Sequence, residues 1–169
     1  RNFARKPKQK LTNVPLDLVI GDTIELINWR VKSTGVDLIV DIEQEPLTVI
    51  GGPVRLQQVL VNILTNAIDA AETGTDRRIE LTARREENRV AVTIRDHGPG
   101  IASSLAERIF DPFFSTKGVG KGLGLGLSIS YNIIKDFGGE LRVENHPEGG
   151  ALFTIELQSV QSGFAEAAQ

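Results

Sequence analysis

Residues 122–128 read "GLGLGLS", with glycine at every second position and leucine between. The pattern suits neither a helix nor a strand, because glycine loses the most backbone entropy on ordering and costs up to about 1 kcal/mol against alanine inside an element. From Gly98 to Gly126 the chain places seven glycines. A flexible loop is the plainer explanation, and a backbone that must come close to phosphate is the sharper one. Gly122, Gly124 and Gly126 stand at the entry to an amphipathic helix, predicted from about Leu125 in "LGLSISYNIIKDFGG" and ended by Gly138–Gly139. Backbone N–H groups at a helix N-terminus form a ready anion site. Both common glycine-rich phosphate motifs are absent. No G-x-G-x-x-G spacing occurs, which argues against a dinucleotide fold. No G-x-x-x-x-G-K-[ST] occurs, since Lys121 is followed by Gly122 and position 115 holds Ser115.

Outward from this stretch, the strongest helical pattern is "PVRLQQVLVNILTNAIDAAE", from Pro53 to about Glu72. Proline suits the first turn, and Leu56, Leu60, Ile63, Ala67 and Ala71 recur at three- and four-residue steps as an apolar stripe. Asn62, Asn66 and Asp69, at i, i+4 and i+7, share one face, and Arg55 falls near it. Asparagine is a poor helix former and an expensive core residue unless its amide is satisfied. Neighbouring backbone or water would satisfy it. So would service as a carbonyl-oxygen ligand for Mg2+, which takes oxygen donors and shares them with phosphate.

"DHGPGI" (96–101) follows a strand pattern directly. Asp96 there is an acceptor that can face a ring amine, and Gly98 and Gly100 permit positive φ and close ligand approach. A tight turn with a solvated aspartate would use the same letters. "IFDPFFSTK" (109–117) puts Phe110, Phe113 and Phe114 in a segment of little regularity, so it is expected to fold back over something. Ser104 followed by Glu107 offers a capping box for a short helix within that loop. Lys117 and Lys121 are either solvated charges or phosphate contacts.

The remaining pattern fills in the frame. The basic opening "RNFARKPKQK" reads as the last turn of a helix and a linker. A helix is expected from Gly21 to Thr34, with Asp22 as N-cap and Gly35 as stop. "VDLIVDIE" (36–43) alternates like a half-buried strand that "LTVIG" (47–51) could pair with. "RIELTARREE" and "RVAVTIRDH" form two strands, "ELRVEN" and "ALFTIELQ" flank a hairpin turn at "HPEGG", and "SVQSGFAEAAQ" looks frayed. The order fits an α/β two-layer sandwich with a mixed sheet.

Whole-chain properties narrow the function. With 169 residues there is room for one domain with a proper core. A net charge of −3 gives no basic field to recruit nucleic acid. No apolar run approaches the ~18 residues that cross a bilayer, and no signal-peptide pattern opens the chain. Cysteine is absent and His97 and His146 are the only histidines, which argues against disulfides and a zinc centre. Methionine is absent even at position 1, as expected of an excised piece.

In order, the asparagine helix, "DHGPG", "FDPFF" and "GKGLGLGLS" resemble the N, G1, F and G2 boxes of the histidine-kinase catalytic and ATP-binding domain. That family sits in a wider group of ATPases with gyrase B, Hsp90 and MutL. The resemblance covers about Val14 to Gln158. It implies a Bergerat-type α/β two-layer sandwich, a mixed β-sheet packed on helices, with a long glycine-rich ATP lid. ATP and Mg2+ are the implied cofactors. Asn66 would be the metal ligand, with Asn62 beside it as its catalytic companion, and Asp69 on the same nucleotide face. Asp96 would receive the adenine amino group, and Gly98, Gly100 and Ile101 would shape the adenine pocket. Phe110 to Phe114 would form the lid, and Lys117 and Lys121 would approach phosphate. Gly122, Gly124 and Gly126, with Leu123 and Leu125 between them, would cradle it. The "NAIDA" ending and "FARKP" entry are most similar to nitrogen-regulation and C4-dicarboxylate sensor kinases, the dicarboxylate type foremost.

By the same resemblance, residues 1–13 would close a dimerisation and phosphoacceptor helix and its linker, 14–158 would form the catalytic domain, and 159–169 a flexible tail. Many relatives carry lysine where Asp69 stands, so no lysine–phosphate contact is expected from that helix. The hydrolases of the wider group place a glutamate one turn before the metal asparagine. Here that position is Asn62, which cannot be a general base. The γ-phosphoryl would therefore pass to a histidine, with catalysis by positioning and charge neutralisation. The acceptor would lie on a helical hairpin of the same protein, absent here, so the isolated chain is expected to bind nucleotide without autophosphorylating. A response regulator would act downstream. No nucleic acid or membrane contact is expected of this domain, which would be cytoplasmic in an inner-membrane sensor, a monomer alone and a dimer in its parent. A nucleotide-sensing regulatory module without kinase activity is the alternative. A serine kinase of the anti-sigma-factor kind fits the long lid less well, and a MutL- or gyrase-type ATPase fits Asn62 less well.

Overall fold

The computed structural model describes residues 10–106, 108–111 and 124–160. Along the chain run β1 (Thr12–Pro15), α1 (Leu16–Thr34), β2 (Asp37–Ile42), β3 (Thr48–Gly51), α2 (Pro53–Glu72), β4 (Arg78–Glu86), β5 (Arg89–Asp96), α3 (Ser103–Ala106), α4 (Gly124–Asp136), β6 (Glu140–Asn145) and β7 (Ala151–Gln158). Five strands form one sheet in the order β2-β4-β5-β7-β6, parallel between β2 and β4 and antiparallel elsewhere. β1 and β3 make a separate antiparallel pair. α2 packs on β4 and β5, α4 on β6, and α1 and α4 flank α2. This is the expected two-layer α/β sandwich with a mixed sheet.

Periodicity explains the layers. In α2 the buried residues include Leu56, Leu60, Ile63, Ala67 and Ala71, one stripe at helical spacing, and Pro53 opens the helix after Gly52. In β4, Ile79, Leu81 and Ala83 are buried at alternate positions, as are Val92 and Ile94 in β5 and Phe153, Ile155 and Leu157 in β7. The intervening Glu80, Thr82, Thr93 and Arg95 are only partly buried, as the period of a strand requires when one face is covered.

Several local expectations change. α1 begins at Leu16, five residues before Gly21, because Leu16, Val19, Ile20, Thr23 and Ile27 make a buried stripe that runs through the glycine. Gly21 sits on the open side, where an added Cβ would meet nothing within 4 Å, and Asp22 is inside the helix, away from its cap. Gly35 ends α1 at φ +74°, as expected. β3 pairs with β1, since β2 lies parallel beside β4. Thr12 and Asn13, expected in a linker, therefore belong to a strand. Ser159 bridges to Val49 and the Val160 N–H donates to the Thr48 carbonyl at 2.8 Å, so the start of the expected tail is anchored. Ser104 lies within α3, one residue past its start, and its expected capping partner Glu107 lies outside the described residues.

Phe137, fully buried just after α4, joins the layers. A Cβ on Gly51 would stand 3.0 Å from its ring. The Arg55 guanidinium lies 5.4 Å from the ring centroid and pairs with Asp136 at 2.8 Å. Arg55 thus clasps α2 to the end of α4. Truncating Phe137 to alanine should lower stability by about 3–5 kcal/mol, the usual cost of an aromatic cavity. Urea unfolding measures this, and a loss below about 1 kcal/mol would show that the site collapses on itself.

Candidate nucleotide site

A cleft of about 960 Å3 opens between the C-terminal half of α2 and the loop after β5. Asn66, Asp69 and Ala70 form its helical wall, Gly100 and Ile101 the loop wall, and Asp96 stands at the edge of the strands. The strand gives Asp96 its place: β5 ends there, and the chain turns sharply through Gly98 and Gly100.

Asp96 is 3% exposed. Its Oδ1 accepts from the Gly98 N–H at 2.9 Å and the Ala151 N–H at 3.2 Å. Burial pushes its carboxyl above the ordinary range, although both N–H bonds and the nearby His97 and Arg95 favour the charged form. Both bonds end on Oδ1, which leaves Oδ2 as the acceptor for a donor entering the cleft. His97, the next residue, belongs to another network. Its Nε2 is 2.8 Å from Glu80 Oε1 and its Nδ1 3.5 Å from Asp76 Oδ2.

The glycines differ in purpose. A Cβ on Gly98 would stand 2.7 Å from the Ala70 carbonyl oxygen, so this glycine lets the loop lie against α2. Gly100, at φ +77°, does line the cleft. Gly124 and Gly126, expected in a loop before the helix, form the first turn of α4 itself. Packing of Leu127, Ile133, Ile134 and Phe137 into the core outweighs the glycine cost there. Leu125 is part of α4, and Phe113, Phe114, Lys117, Lys121, Gly122 and Leu123 lie outside the described residues.

The polar face of α2 divides its work. Asn66 lines the cleft, and its Nδ2 donates to the Asn62 carbonyl at 2.7 Å. That bond fixes the orientation of the amide against the helix backbone. Asn62 reaches across to α4. Its Nδ2 donates to the Gly126 carbonyl at 3.2 Å and to Ser130 Oγ at 3.1 Å, tying α2 to α4. Asp69 lines the cleft and is held at 2.8 Å by Arg30 of α1, which also lies 3.5 Å from Glu72. Phe110 stacks on Tyr131 of α4, with centroids 5.2 Å apart. Sequence reasoning took the 145–151 turn only as a hairpin and missed Asn145, Gly150 and Ala151. The paired glycines of "HPEGG" were the available signal.

Residues 51–161 match the model of the histidine kinase-, DNA gyrase B-, and HSP90-like ATPase family. The chain belongs to that family. Over 156 residues it is 39% identical to the C4-dicarboxylate transport sensor protein DctB of Pseudomonas aeruginosa, covering 92% of this chain and 26% of that protein. The chain thus spans about a quarter of the length of the curated relatives it matches. The catalytic domain of histidine kinase ThkA superposes with a TM-score of 0.79 at 34% identity, covering 90% of this chain and all of that one. The same kinase in complex with response regulator protein TrrA gives 0.75 at 30% identity over 89% of this chain and 42% of that one. Full-length ShkA in complex with AMPPNP gives 0.78 at 28% identity over 94% of this chain and 34% of that one. The fold is therefore that of histidine-kinase catalytic domains, and its family is one of ATP-binding proteins. No helix among the described residues is long and apolar enough to cross a membrane.

The raised carboxyl of Asp96 has a stability consequence. A native carboxyl that holds its proton more tightly than in the unfolded chain opposes folding when ionised, so its penalty is present at neutral pH. The penalty fades as pH falls through the native value towards the unfolded 3.8. Asp96→Asn keeps the Oδ1 acceptor and removes the charge. The ligand-free variant should melt at or above the wild-type temperature at pH 7, with the gap closing in acid. Calorimetric melts across pH check this, and a variant clearly less stable at pH 7 would show that the charge supports the turn.

Proposed function

We propose that this chain binds ATP in the cleft and presents its γ-phosphoryl to a histidine on a separate helical hairpin of the same protein, as the catalytic domain of a two-component sensor kinase. The observation that carries the reading is Asp96: a buried carboxylate that lines the cleft, held by two N–H groups through Oδ1 alone, suits the amino group of adenine. Replacing such a charge-assisted bond should cost roughly 1.5–3 kcal/mol, or about ten- to a hundredfold in affinity. Apolar Ile101, Ile109 and Phe153 would pack on the base.

Asn66 suits Mg2+ by chemistry, since an oriented amide carbonyl is an oxygen donor of the kind that ion takes beside phosphate. When bound with nucleotide, Mg2+ would neutralise charge on the transferred phosphoryl. Asn66 would hold the ion, Asn62 would brace Asn66 and the first turn of α4 through its bonds to both, and that turn would offer N–H groups to phosphate. Asn62 at the position of the hydrolases' glutamate favours transfer over hydrolysis. A response regulator is the downstream partner this reading implies, as in the ThkA complex. The DctB match suggests the dicarboxylate class of sensor. The parent would be a membrane sensor with this part in the cytoplasm.

Calorimetric titration with ADP and AMPPNP, each with and without Mg2+, tests the site. One-to-one binding strengthened by Mg2+ and lost at least tenfold in Asp96→Asn is expected. No binding at millimolar nucleotide would end the reading. Incubation of the chain with radiolabelled ATP should leave it unlabelled, and an added hairpin domain carrying the acceptor histidine should take the label. A hairpin that stays unlabelled would favour a nucleotide-sensing module.

Gly126 allows a separate test. A Cβ there would make only ordinary contact, 3.6 Å from Asn62 Cγ. Gly126→Ala should therefore stabilise α4 by up to about 1 kcal/mol, while ATP affinity falls if the backbone must approach phosphate. Affinity unchanged in a more stable variant would remove Gly126 from the phosphate cradle.

A further inference from the structure

One cross-strand pair holds both ends of the loop that walls the cleft. Asn145 at the end of β6 sits opposite Ala151 at the start of β7. From Ala151, the N–H donates to Asp96 Oδ1 at 3.2 Å, where the loop begins. Beside it Gly150, at φ +85°, comes so close that a Cβ would stand 1.9 Å from the Asp96 carbonyl oxygen. From Asn145, the side chain makes two bonds to a single residue where the loop ends. The Ile101 N–H donates to Asn145 Oδ1 at 2.8 Å, and Asn145 Nδ2 donates to the Ile101 carbonyl at 2.6 Å. Just before the loop, Arg95 Nη2 donates to the Gly149 carbonyl at 3.0 Å.

An amide that serves both the N–H and the C=O of one loop residue does the work of a neighbouring strand. Asparagine suits the task because a donor and an acceptor sit side by side on a short stem, whereas aspartate offers acceptors alone and serine a single hydroxyl. The fit is close. A Cβ on Gly100 would stand 2.7 Å from the same Asn145 Oδ1, so the loop can close on the amide only with glycine there. Gly100, Ile101 and Asp96 line the cleft, and Asn145 does not.

We propose that Asn145 is a positioning residue for base recognition. By holding the Ile101 backbone it fixes the loop wall of the cleft at a set distance from Asp96, and so sharpens selection of adenine over bases that lack its amino group. The inference rests on reading the cleft as a nucleotide site. Asn145 acts through Ile101 and not by touching nucleotide, so the telling readout is base discrimination in the folded protein.

The experiment is calorimetric titration of the whole chain with ADP and with inosine diphosphate, whose base carries a carbonyl in place of the amino group. Wild type, Asn145→Ala and Asn145→Asp are compared, each well below its own melting temperature. Asn145→Ala should bind ADP about three- to tenfold more weakly, in keeping with loss of two exposed hydrogen bonds. Its preference for ADP over inosine diphosphate should shrink. Asn145→Asp keeps the acceptor for the Ile101 N–H and should fall between the two. Should the alanine variant fail to fold, the aspartate variant carries the same comparison against wild type. Unchanged ADP affinity and base preference in folded variants would overturn the assignment. So would an equal loss for both nucleotides, which marks general loosening. A wild type that fails to bind ADP would remove the nucleotide reading itself, whereas wild-type binding with insensitive variants removes only the role of Asn145.

Discussion

A carboxylate at 3% exposure must be hydrogen-bonded or give up its charge, and the region around Asp96 is arranged to satisfy that demand. Its two N–H donors come from very different distances along the chain, Gly98 two residues on and Ala151, at the start of β7, 55 residues on. For both to reach one oxygen, the loop must turn back at once and the last hairpin must press against it. The first need places Gly98 against the Ala70 carbonyl, and the second places Gly150 against the Asp96 carbonyl. Substitution at either position would push apart the elements that bring the donors in. The carboxyl still stays above its usual range, so the fold carries at this site a charge that burial disfavours. A group kept at a cost to folding, and turned to a cleft, is a mark of function over stability.

α2 is the second organising element, since both the core and the cleft use it. Its apolar stripe meets the sheet, while its polar face splits at Asn62 and Asn66. These residues differ by one turn and share a bond through the Asn62 carbonyl, yet they face different neighbours. Asn62 bridges to α4 and settles the start of that helix against α2, and Asn66 turns to the cleft. A hydrogen bond between partly buried partners is worth about 1 kcal/mol net, but leaving such an amide unpaired costs more. The pairing therefore fixes the relation of α4 to the cleft wall more than it adds to stability. Arg55 and Phe137 hold the other end of the same two helices.

Much of this was legible in residue order. The stripe of α2, the two strand pairs and the glycine stop of α1 follow from periodicities of 3.6 and 2 and from turn chemistry, which are local properties. The readings that failed were those in which a distant partner overrode a local signal. Gly21 is a helix breaker by propensity, but the stripe from Leu16 to Ile27 is buried on both sides of it, and packing prevailed. β3 could have paired with β2 by pattern. Its partner is β1, and β2 instead joins β4 in parallel. Gly124 and Gly126 look like loop residues by composition and are helical because the stretch after them reaches the core.

The sequence by itself determined the family, the layered fold and the residue types of the candidate site. Asn66, Asp69, Asp96, Gly100 and Ile101 were all named from spacing and resemblance, because each sits in a run whose chemistry is local: a helix face or a strand-end turn. Only the tertiary structure decided which of them face the cleft together. It sent Asn62 to α4, Gly98 to α2 and Phe110 to Tyr131, and it brought in Asn145 and Ala151, 49 and 55 residues beyond Asp96. The reason is physical. Which donor reaches a buried carboxylate depends on which strands share a sheet: the β6–β7 hairpin follows from its local turn, whereas the β5–β7 register that sets the start of β7 beside the end of β5 is fixed by long-range burial, of which a local stretch of sequence holds no trace.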